Sequence, residues 1–219
     1  MTSGDLADRL QWLDTTAMCD ADKTLRVMDH GIRARSAGIR IAAPAFTVRC
    51  RGDFLAVLRA IESASAGHVI VVDGDAQEIA LGGELFARGA LARGLAGIIV
   101  DGGYRDIGYI ATCPLPVYSR FTTPLAGTTS KLGQLQVPVA CGGVVVNPGD
   151  IVLADDEGII VVSSADLDSL LASAASIKDA EGRLIEHLDH GGTLGDGLNL
   201  AEHVAALEQG NASALRFLL

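Results

Sequence analysis

The sequence predicts an α/β fold with a partly parallel sheet, from two observations. Up to about residue 120, short apolar runs that are typical of buried strands alternate with segments that are typical of helices. After Gly133 the apolar runs are shorter and are separated by turn-forming residues, which predicts a β-rich layer. Alternating strands and helices followed by short strands favour a sheet on which helices pack.

The composition predicts one compact, soluble domain that covers residues 1–219. Of the 219 residues, 49% are apolar and 20% are charged, and a chain of this length can bury a core. The formal net charge of -10 opposes binding to phosphate backbones, so no nucleic acid is expected as a partner. The apolar runs are too short to span a bilayer and the N-terminus lacks signal character, so we expect no membrane partner and a cytoplasmic location.

The four cysteines are Cys19, Cys50, Cys113 and Cys141, and none of them forms a C-x-x-C pair. Wide spacing without a secretory context indicates reduced, mostly buried side chains. A nucleophilic role for Cys113 or Cys141 remains an alternative, although no histidine lies near either residue in sequence.

The first 35 residues are predicted to be helical. Leu6, Leu10 and Leu13 form an apolar stripe, and a second helical segment is expected from Thr15 to Met28. We expect these helices to form a cover or an oligomer contact. A strand is predicted next, from Ile39 to Cys50.

The remaining elements follow in order. The pattern predicts helices at 54–63 and 84–94, a turn of helix after Arg105, and strands at 69–72, 97–100 and 116–119, with Asp73-Gly74 ending the strand at 69–72. It then predicts strands at 137–140, 143–146, 151–154 and 159–162. The segment Ser164-Ala165-Asp166 is predicted to cap a long helix that reaches about residue 188, and one or two short helices follow in the tail at 198–219.

One spacing indicates chemistry. Glu84 opens the predicted helix at 84–94, and the adjacent pair Arg105-Asp106 follows after twenty intervening residues. A helix and a buried strand fill the interval, so both ends can return to one edge of the sheet. Two carboxylates can hold a hydrated divalent metal and a guanidinium can bind a substrate carboxylate in a planar fork, so this grouping favours an enzyme.

Each of these residues also has a structural interpretation. Arg105-Asp106 could form a surface ion pair and a helix cap, and Glu84 could be a first-turn helix charge worth about 0.3 to 1 kcal/mol. The neighbouring motifs favour the functional interpretation. Asp101, at the end of a predicted strand, could support the site from behind, and Gly127 to Lys131 is expected to be a mobile loop near the substrate mouth because it lacks a phosphate-loop frame.

Ordered motifs from about residue 40 to 162, the motif-bearing core, resemble the RraA-like family. They are APAFTV from Ala43, VVDG from Val71, GEL from Gly83, GIIVDG from Gly97, RD from Arg105, PVY from Pro116, GGVVVNPGD from Gly142 and ADDEG from Ala154. This family contains class II, divalent-metal pyruvate aldolases acting on 4-hydroxy-4-methyl-2-oxoglutarate and 4-carboxy-4-hydroxy-2-oxoadipate, and also the regulator of ribonuclease E activity A. The resemblance implies a single-domain β/β/α swivelling-domain fold with N- and C-terminal helices, including a helical tail at about 164–219.

The resemblance also implies roles for residues. Asp106 would be the direct ligand of Mg²⁺ or Mn²⁺, Glu84 would hold metal-bound waters, and Arg105 would bind the substrate carboxylate and the developing enolate oxygen. The backbone amides of Leu85 and Phe86 would receive the pyruvyl carboxylate, as the free donors of a helix N-terminus can.

The remaining catalytic residue implied by the family comes from another subunit. The resemblance implies a homotrimer or a homohexamer built as a dimer of trimers, with sites between subunits. Glu181 on the C-terminal helix is the best match to the family's acidic residue, and Asp179, Glu186 or a metal-bound water are the other candidates for the base.

The implied activity is cleavage of a 4-hydroxy-2-oxo acid to pyruvate and a second oxo acid, with oxaloacetate decarboxylation as a companion. Two alternatives stay open: a non-catalytic regulator that binds another protein, and a different lyase or tautomerase using the same metal enolate. Regulators in the family typically carry glycine at the position of Glu84, and its aldolases often carry aspartate. The tail at 192–219 departs from the usual aldolase tail.

Overall fold

A computed structural model of the chain describes residues 14–36 and 40–219. The helices are α1 (Thr15–Ala21), α2 (Leu55–Ser63), α3 (Glu84–Ala92), α4 (Ile107–Ile110), α5 (Leu167–Asp189), α6 (Leu194–Gly197) and α7 (Leu200–Glu208). The strands are β1 (Arg26–Val27), β2 (Arg33–Ala34), β3 (Ile41–Arg49), β4 (Val69–Ala80), β5 (Gly97–Tyr104), β6 (Val117–Thr122), β7 (Gln134–Leu135), β8 (Val139–Cys141), β9 (Val144–Val146), β10 (Ile151–Ala154) and β11 (Ile159–Val162).

A large mixed sheet organises the described part of the chain. Its strand order is β1-β11-β10-β3-β4-β5-β6-β2, with β7 pairing to β3, and β8 and β9 form a separate hairpin. The central strands β3, β4, β5 and β6 are parallel, whereas β10, β11 and β2 pair antiparallel to their neighbours. Helices connect the parallel strands, as parallel pairing requires. The predicted α/β fold is confirmed.

Alternate residues of the central strands pack into two different cores. Ile70 and Val72 face a cluster that contains α2 and α3, whereas Val69 and Val71 face the layer formed by β8 to β11. Because successive side chains in a strand point to opposite faces, a fully apolar run such as Val69 to Val72 fits a strand covered on both sides. A third cluster packs α1 and α5 against the outward faces of β10 and β11.

The predicted N-terminal helices are correct only in part. The stripe of Leu6, Leu10 and Leu13 lies outside the described residues. The helix predicted from Thr15 to Met28 is wrong beyond Ala21, because Asp22 is extended and its carboxylate accepts a hydrogen bond from the backbone N–H of Thr24 at 2.8 Å. Such a side-chain turn competes with the helix, and the chain continues into β1, which pairs with β11.

The strand β4 is longer than predicted, because Asp73-Gly74 does not end it. Asp75 and Ala76 adopt positive φ angles of 60° and 51°, and the pairing of β4 with β5 shifts register there and then continues to Ala80. This is a bulge in the strand where the sequence predicted a turn. The close approach of the two strands requires Gly103, where a Cβ atom would lie 2.8 Å from the backbone of Ile79.

The C-terminal region forms the predicted long helix and a further short helix in the tail. Asp166 occupies the position before α5, but its side chain makes no capping hydrogen bond, so the predicted cap is wrong in this detail. Gly191 follows the helix with a φ of 86°, which suits glycine. Among the described residues, no helix is both long and apolar enough to cross a membrane.

Candidate active site

Glu84 and Arg105, which are separated by twenty residues in sequence, approach each other because the ends of β4 and β5 lie side by side. The backbone N–H of Leu81 donates to the carbonyl of Gly103 at 3.0 Å, and the N–H of Arg105 donates to the carbonyl of Gly82 at 3.1 Å. The start of α3 is therefore held against the segment that follows β5. Ligand sites in open α/β sheets form at this carboxyl edge of the parallel strands.

Asp106 joins the two segments directly. Its Oδ2 accepts a hydrogen bond from the backbone N–H of Glu84 at 2.9 Å, so this carboxylate serves the start of α3 from across the site. Asp106 is left-handed, with φ 59° and ψ 39°, and it also precedes α4. Aspartate tolerates this conformation better than most residues, and unusual backbone at a cleft is a feature of functional sites.

Tyr104 helps to hold the two segments of the site together, and the sequence analysis did not identify this residue. Its buried hydroxyl donates to the carbonyl of Gly83 at 3.2 Å. Burial raises the pKa of Tyr104, which keeps the phenol neutral and able to donate. A Cβ atom on Gly82 would lie 2.5 Å from the Tyr104 ring, so glycine is needed there for space. No motif in the sequence marks this contact.

Arg105 lines a cavity of about 380 Å³. The cavity is lined by Arg105, Asp106, Ile107, Thr122, Thr123 and Pro124. The Nε atom of Arg105 is 3.7 Å from Oδ2 of Asp106, and both side chains are more than 40% exposed. A pair this loose and exposed contributes little to stability, so the guanidinium is available to a ligand.

Glu84 forms an ion pair that sequence reasoning did not predict. One of its carboxylate oxygens, Oε1, accepts from Nε of Arg88 at 2.8 Å and lies 2.7 Å from Nη2 of the same side chain. The guanidinium of Arg88 also lies over the ring of Tyr109, 4.3 Å from its centre. The four-residue separation of Glu84 and Arg88 was the available signal, since residues at this spacing meet on a helix surface.

The two predicted backbone donors at the start of α3 differ. The N–H of Phe86 donates to the carbonyl of Gly83 at 3.1 Å, so it would have to be shared with a ligand. The N–H of Leu85 has no acceptor among the described residues. The Leu85 side chain is 77% exposed, so the surface around this amide is open within one subunit.

The carboxylates have the donor chemistry that Mg²⁺ and Mn²⁺ prefer. Among the described residues, Oδ1 of Asp106 and Oε2 of Glu84 accept no hydrogen bond, while the other oxygen of each group is engaged. The described part of the chain holds no group of three or more acidic, histidine or cysteine side chains suited to a metal. A single subunit therefore offers two carboxylates at this edge, which suits an ion that keeps several waters.

Glu181 is not brought to this group within one subunit. It lies on α5, whose first half packs on α1, β10 and β11, and its interaction in the structure is with Lys178 on its own helix. Lys178 in turn pairs with Asp14. The role of Glu181 in a neighbouring subunit's site stays a prediction, as do those of its competitors Asp179 and Glu186.

Asp101 and the cysteines serve the core instead. The carboxylate of Asp101 is buried and accepts from Arg120 and from the backbone N–H of Gly142, so both of its oxygens are occupied away from the site. Burial raises the pKa of Cys141 well above its ordinary value, which opposes a thiolate nucleophile. Cys113 is also buried, and the described cysteines are all free thiols, as predicted.

The predicted mobile loop from Gly127 to Lys131 is held by Asp53. Oδ2 of Asp53 accepts from the Thr128 hydroxyl at 2.7 Å and from the backbone N–H groups of Ser130 and Lys131 at 2.6 and 3.0 Å. Thr123 and Pro124, which line the cavity beside Arg105, lie just before this anchored loop. These hydrogen bonds tie the loop to the segment just before α2, and its place near the substrate stays a prediction.

Fold and site together define an α/β protein that gathers two carboxylates and an arginine at the carboxyl edge of parallel strands. A family model described as "RraA-like: Aldolase/RraA" matches residues 15–161. The chain therefore belongs to the RraA-like family.

Similar proteins carry two kinds of name. A protein of Halalkalibacterium halodurans is 34% identical over 173 residues (78% of this chain, 82% of that protein), and one of Burkholderia multivorans is 38% identical over 161 residues (69% and 96%). Both are named "Putative 4-hydroxy-4-methyl-2-oxoglutarate aldolase". The solved structure of the RNA-processing inhibitor RraA from Thermus thermophilis superposes with a TM-score of 0.64 at 29% identity, covering 68% of this chain and 92% of that one.

Proposed function

We propose that the protein is a divalent-metal-dependent lyase. It cleaves a 4-hydroxy-2-oxo acid to pyruvate and a second oxo acid, and it decarboxylates oxaloacetate as a companion activity. The observation that carries the proposal is the hydrogen bond between Asp106 and the backbone N–H of Glu84, which holds the start of α3 against Asp106 beside Arg105 and a cavity. The names of the two similar proteins support the aldolase part of this proposal.

Each residue has a defined task in this reaction. Arg105 binds the substrate carboxylate and stabilises negative charge on the keto oxygen as the carbon–carbon bond breaks. The Leu85 amide, at the positive end of α3, receives the pyruvyl carboxylate, and the Phe86 amide shares that task. Asp106 and Glu84 would hold Mg²⁺ or Mn²⁺, Asp106 as a direct ligand and Glu84 through water. When bound, the ion supplies Lewis-acid polarisation of the 2-oxo group.

A base is required only for the aldol cleavage. The 4-hydroxyl must lose its proton as the bond between carbons 3 and 4 breaks, and the electron pair passes into the pyruvate half as an enolate. We assign this proton to Glu181 of a neighbouring subunit in a homotrimer or homohexamer. Oxaloacetate loses CO₂ to give the same enolate without a hydroxyl proton, so it needs no such base.

A second candidate is a non-catalytic regulator that binds another protein. The likeness to the RNA-processing inhibitor from Thermus thermophilis favours it. Glu84 argues against it, because the regulators implied by the sequence resemblance typically carry glycine there, and a glycine would leave Arg88 without its present partner.

The deciding experiment is pyruvate release from oxaloacetate. We expect turnover with Mg²⁺ or Mn²⁺ and its loss after chelation with EDTA, restored when the ion is added back. Full activity after exhaustive metal removal, or no activity with either ion on oxaloacetate and 4-hydroxy-2-oxo acids, would overturn the lyase.

Two variants test the assigned roles. Asp106→Asn keeps a side chain that tolerates the left-handed backbone, so it should lose metal-dependent turnover while the protein stays folded. Arg105→Lys should retain the metal but lose substrate binding and rate, because lysine cannot form the bidentate fork. Near wild-type rates in both folded variants would show that the site lies elsewhere.

A further inference from the structure

The contact between Glu84 and Arg88 uses one carboxylate oxygen twice. Nε and Nη2 of Arg88 both approach Oε1 of Glu84, at 2.8 and 2.7 Å. A side-by-side fork would engage both carboxylate oxygens, one with each nitrogen. Here Oε2 accepts no hydrogen bond from any described residue. Arg88 therefore fixes Oε1, and Oε2 stays open to a ligand.

Arg88 is itself held by a residue of α4, the short helix that follows Asp106. Its guanidinium lies over the ring of Tyr109, 4.3 Å from the ring centre, and Tyr109 belongs to α4, which begins directly after Asp106. The π face of the ring attracts the cation electrostatically. Arg88 thus ties the carboxylate at the start of α3 to the helix that follows Asp106.

Stability does not account for this arrangement. Arg88 and Glu84 are 57% and 37% exposed, and an exposed pair four residues apart on a helix stabilises it by only about 0.3 to 0.5 kcal/mol. A glutamate side chain has one more rotatable bond than an aspartate, so its carboxylate can occupy more positions unless another group holds it in place. The value of the contact lies in orienting the carboxylate.

We propose that Arg88, held by Tyr109, is a positioning residue that fixes Glu84 so that its free oxygen can hold the waters of a divalent cation. The inference rests on the proposed function, in which Glu84 serves Mg²⁺ or Mn²⁺. If Arg88 acted only through its charge, its removal would change the affinity for the cation in the opposite direction. Removing a nearby positive charge should by itself tighten cation binding, whereas removing an anchor should weaken it.

The test is Mn²⁺ binding to the intact protein, measured from the electron paramagnetic resonance signal of the free ion, without substrate or turnover. We expect Arg88→Ala to weaken binding by about 10-fold or more, the scale on which partners of metal-binding groups act. Arg88→Lys, which keeps the charge but has a single donor group, should recover part of the loss. Tyr109→Leu should weaken binding less, because the ion pair survives without the ring.

A matched control is available on the same helix. Arg93, the C-cap residue of α3, is 42% exposed, pairs with the Glu62 carboxylate at 3.6 Å and donates to the Glu62 carbonyl at 2.6 Å, so Arg93→Ala removes the contacts of another arginine away from the site. This variant should bind Mn²⁺ like the wild type. The thermal midpoints of Arg88→Ala and Arg93→Ala should both lie close to that of the wild type, which shows that each variant is folded.

A double variant asks whether Arg88 acts through Glu84. In a Glu84→Gln background, adding Arg88→Ala should weaken Mn²⁺ binding no further, because the group being positioned has already lost its charge. Additive losses, or Mn²⁺ binding by Arg88→Ala that equals or exceeds wild-type binding, would overturn this inference alone. A wild-type protein that binds no Mn²⁺ would overturn the proposed function and this inference with it.

Discussion

Gly83 limits how closely the two chemical segments of the site can approach. Its φ of -172° is extended and open to any residue, so its requirement is for space and not for backbone freedom. A Cβ atom there would lie 2.3 Å from Oδ2 of Asp106 and 2.9 Å from Cγ of Arg105. Even the smallest side chain would therefore displace both groups.

We expect Gly83→Ala to reduce metal-dependent decarboxylation by about 100-fold, since a displacement near 1 Å can have this effect on a reacting group. The measurement is the rate of pyruvate release at saturating Mg²⁺. Gly89→Ala is the matched control, because a Cβ atom there meets only Ile61, at an ordinary 3.5 Å, and alanine favours the helix. A Gly83→Ala protein as active as Gly89→Ala would contradict this geometry.

Among the elements, the loop after β6 owes its position to one buried carboxylate. Asp53 accepts hydrogen bonds from the Thr128 hydroxyl, from the backbone N–H groups of Ser130 and Lys131, and from the N–H of Leu55 at the start of α2. Burial raises the pKa of Asp53, but these hydrogen bonds outweigh burial and lower its pKa from the ordinary 3.8 to about 2. The loop is therefore held by an ionised group.

We expect Asp53→Asn to lower the free energy of unfolding at pH 7 by about 2 kcal/mol, because an amide presents donors where the carboxylate accepts them. The folded pKa is lowered, so the contribution of Asp53 is fully present above pH 3.8 and is lost as the pH falls through about 2. The difference between variant and wild type should accordingly narrow between pH 4 and pH 2.

The measurement is the denaturant midpoint at fixed protein concentration across this pH range, with Asp20→Ala as the control for an exposed carboxylate paired with Lys23. The control should track the wild type. A difference between Asp53→Asn and wild type that stays constant down to pH 2 would mean that the charge of Asp53 is unimportant.

At the scale of the whole molecule, the described subunit brings one part of the proposed site together and carries another part on a different element. Glu84, Arg105 and Asp106 meet at the sheet edge, whereas Glu181 lies on α5 beside Lys178. The exposed Leu85 at the site and the exposed Ile185 on α5 offer apolar surface that an assembly would cover. The assembly remains part of the proposal.

We expect Glu181→Gln to reduce aldol cleavage by about 10² to 10⁴-fold, as for a lost general base, and to affect oxaloacetate decarboxylation far less. Mixing Glu181→Gln subunits with Asp106→Asn subunits should restore some cleavage, because some sites would combine an intact Asp106 with an intact Glu181. The assay compares both reactions in oligomers shown to be mixed. Equal loss of the two activities, or no restoration, would favour Asp179, Glu186 or a metal-bound water as the base.

Several features followed from local pattern alone. The apolar run from Val69 to Val72 predicted a buried strand, and the spacing from Glu84 to Arg105 predicted that the helix start and the strand end would meet. These predictions succeed because side-chain periodicity and the length of a strand–helix–strand unit are local properties of the chain.

Other features depend on which segments pair in space. β1, β2 and β7 are two residues long and carry no periodicity, so they become strands only because β11, β6 and β3 offer them partners. The residues after Asp73 are predicted from sequence to form a turn. They form a bulge in the structure because β4 continues to pair with β5 beyond them. Such pairing is a long-range property that no short window of sequence contains.

The sequence by itself determined the α/β class, the membership of Glu84, Arg105 and Asp106 in one group, and the family resemblance, since each resides in the order and spacing of residues. Only the tertiary structure decided how the group is built: the left-handed backbone of Asp106 and the contact that anchors Arg88 on Tyr109. The physical reason is that hydrogen bonds and ring contacts act over a few ångströms, and folding sets those distances between residues far apart in the chain.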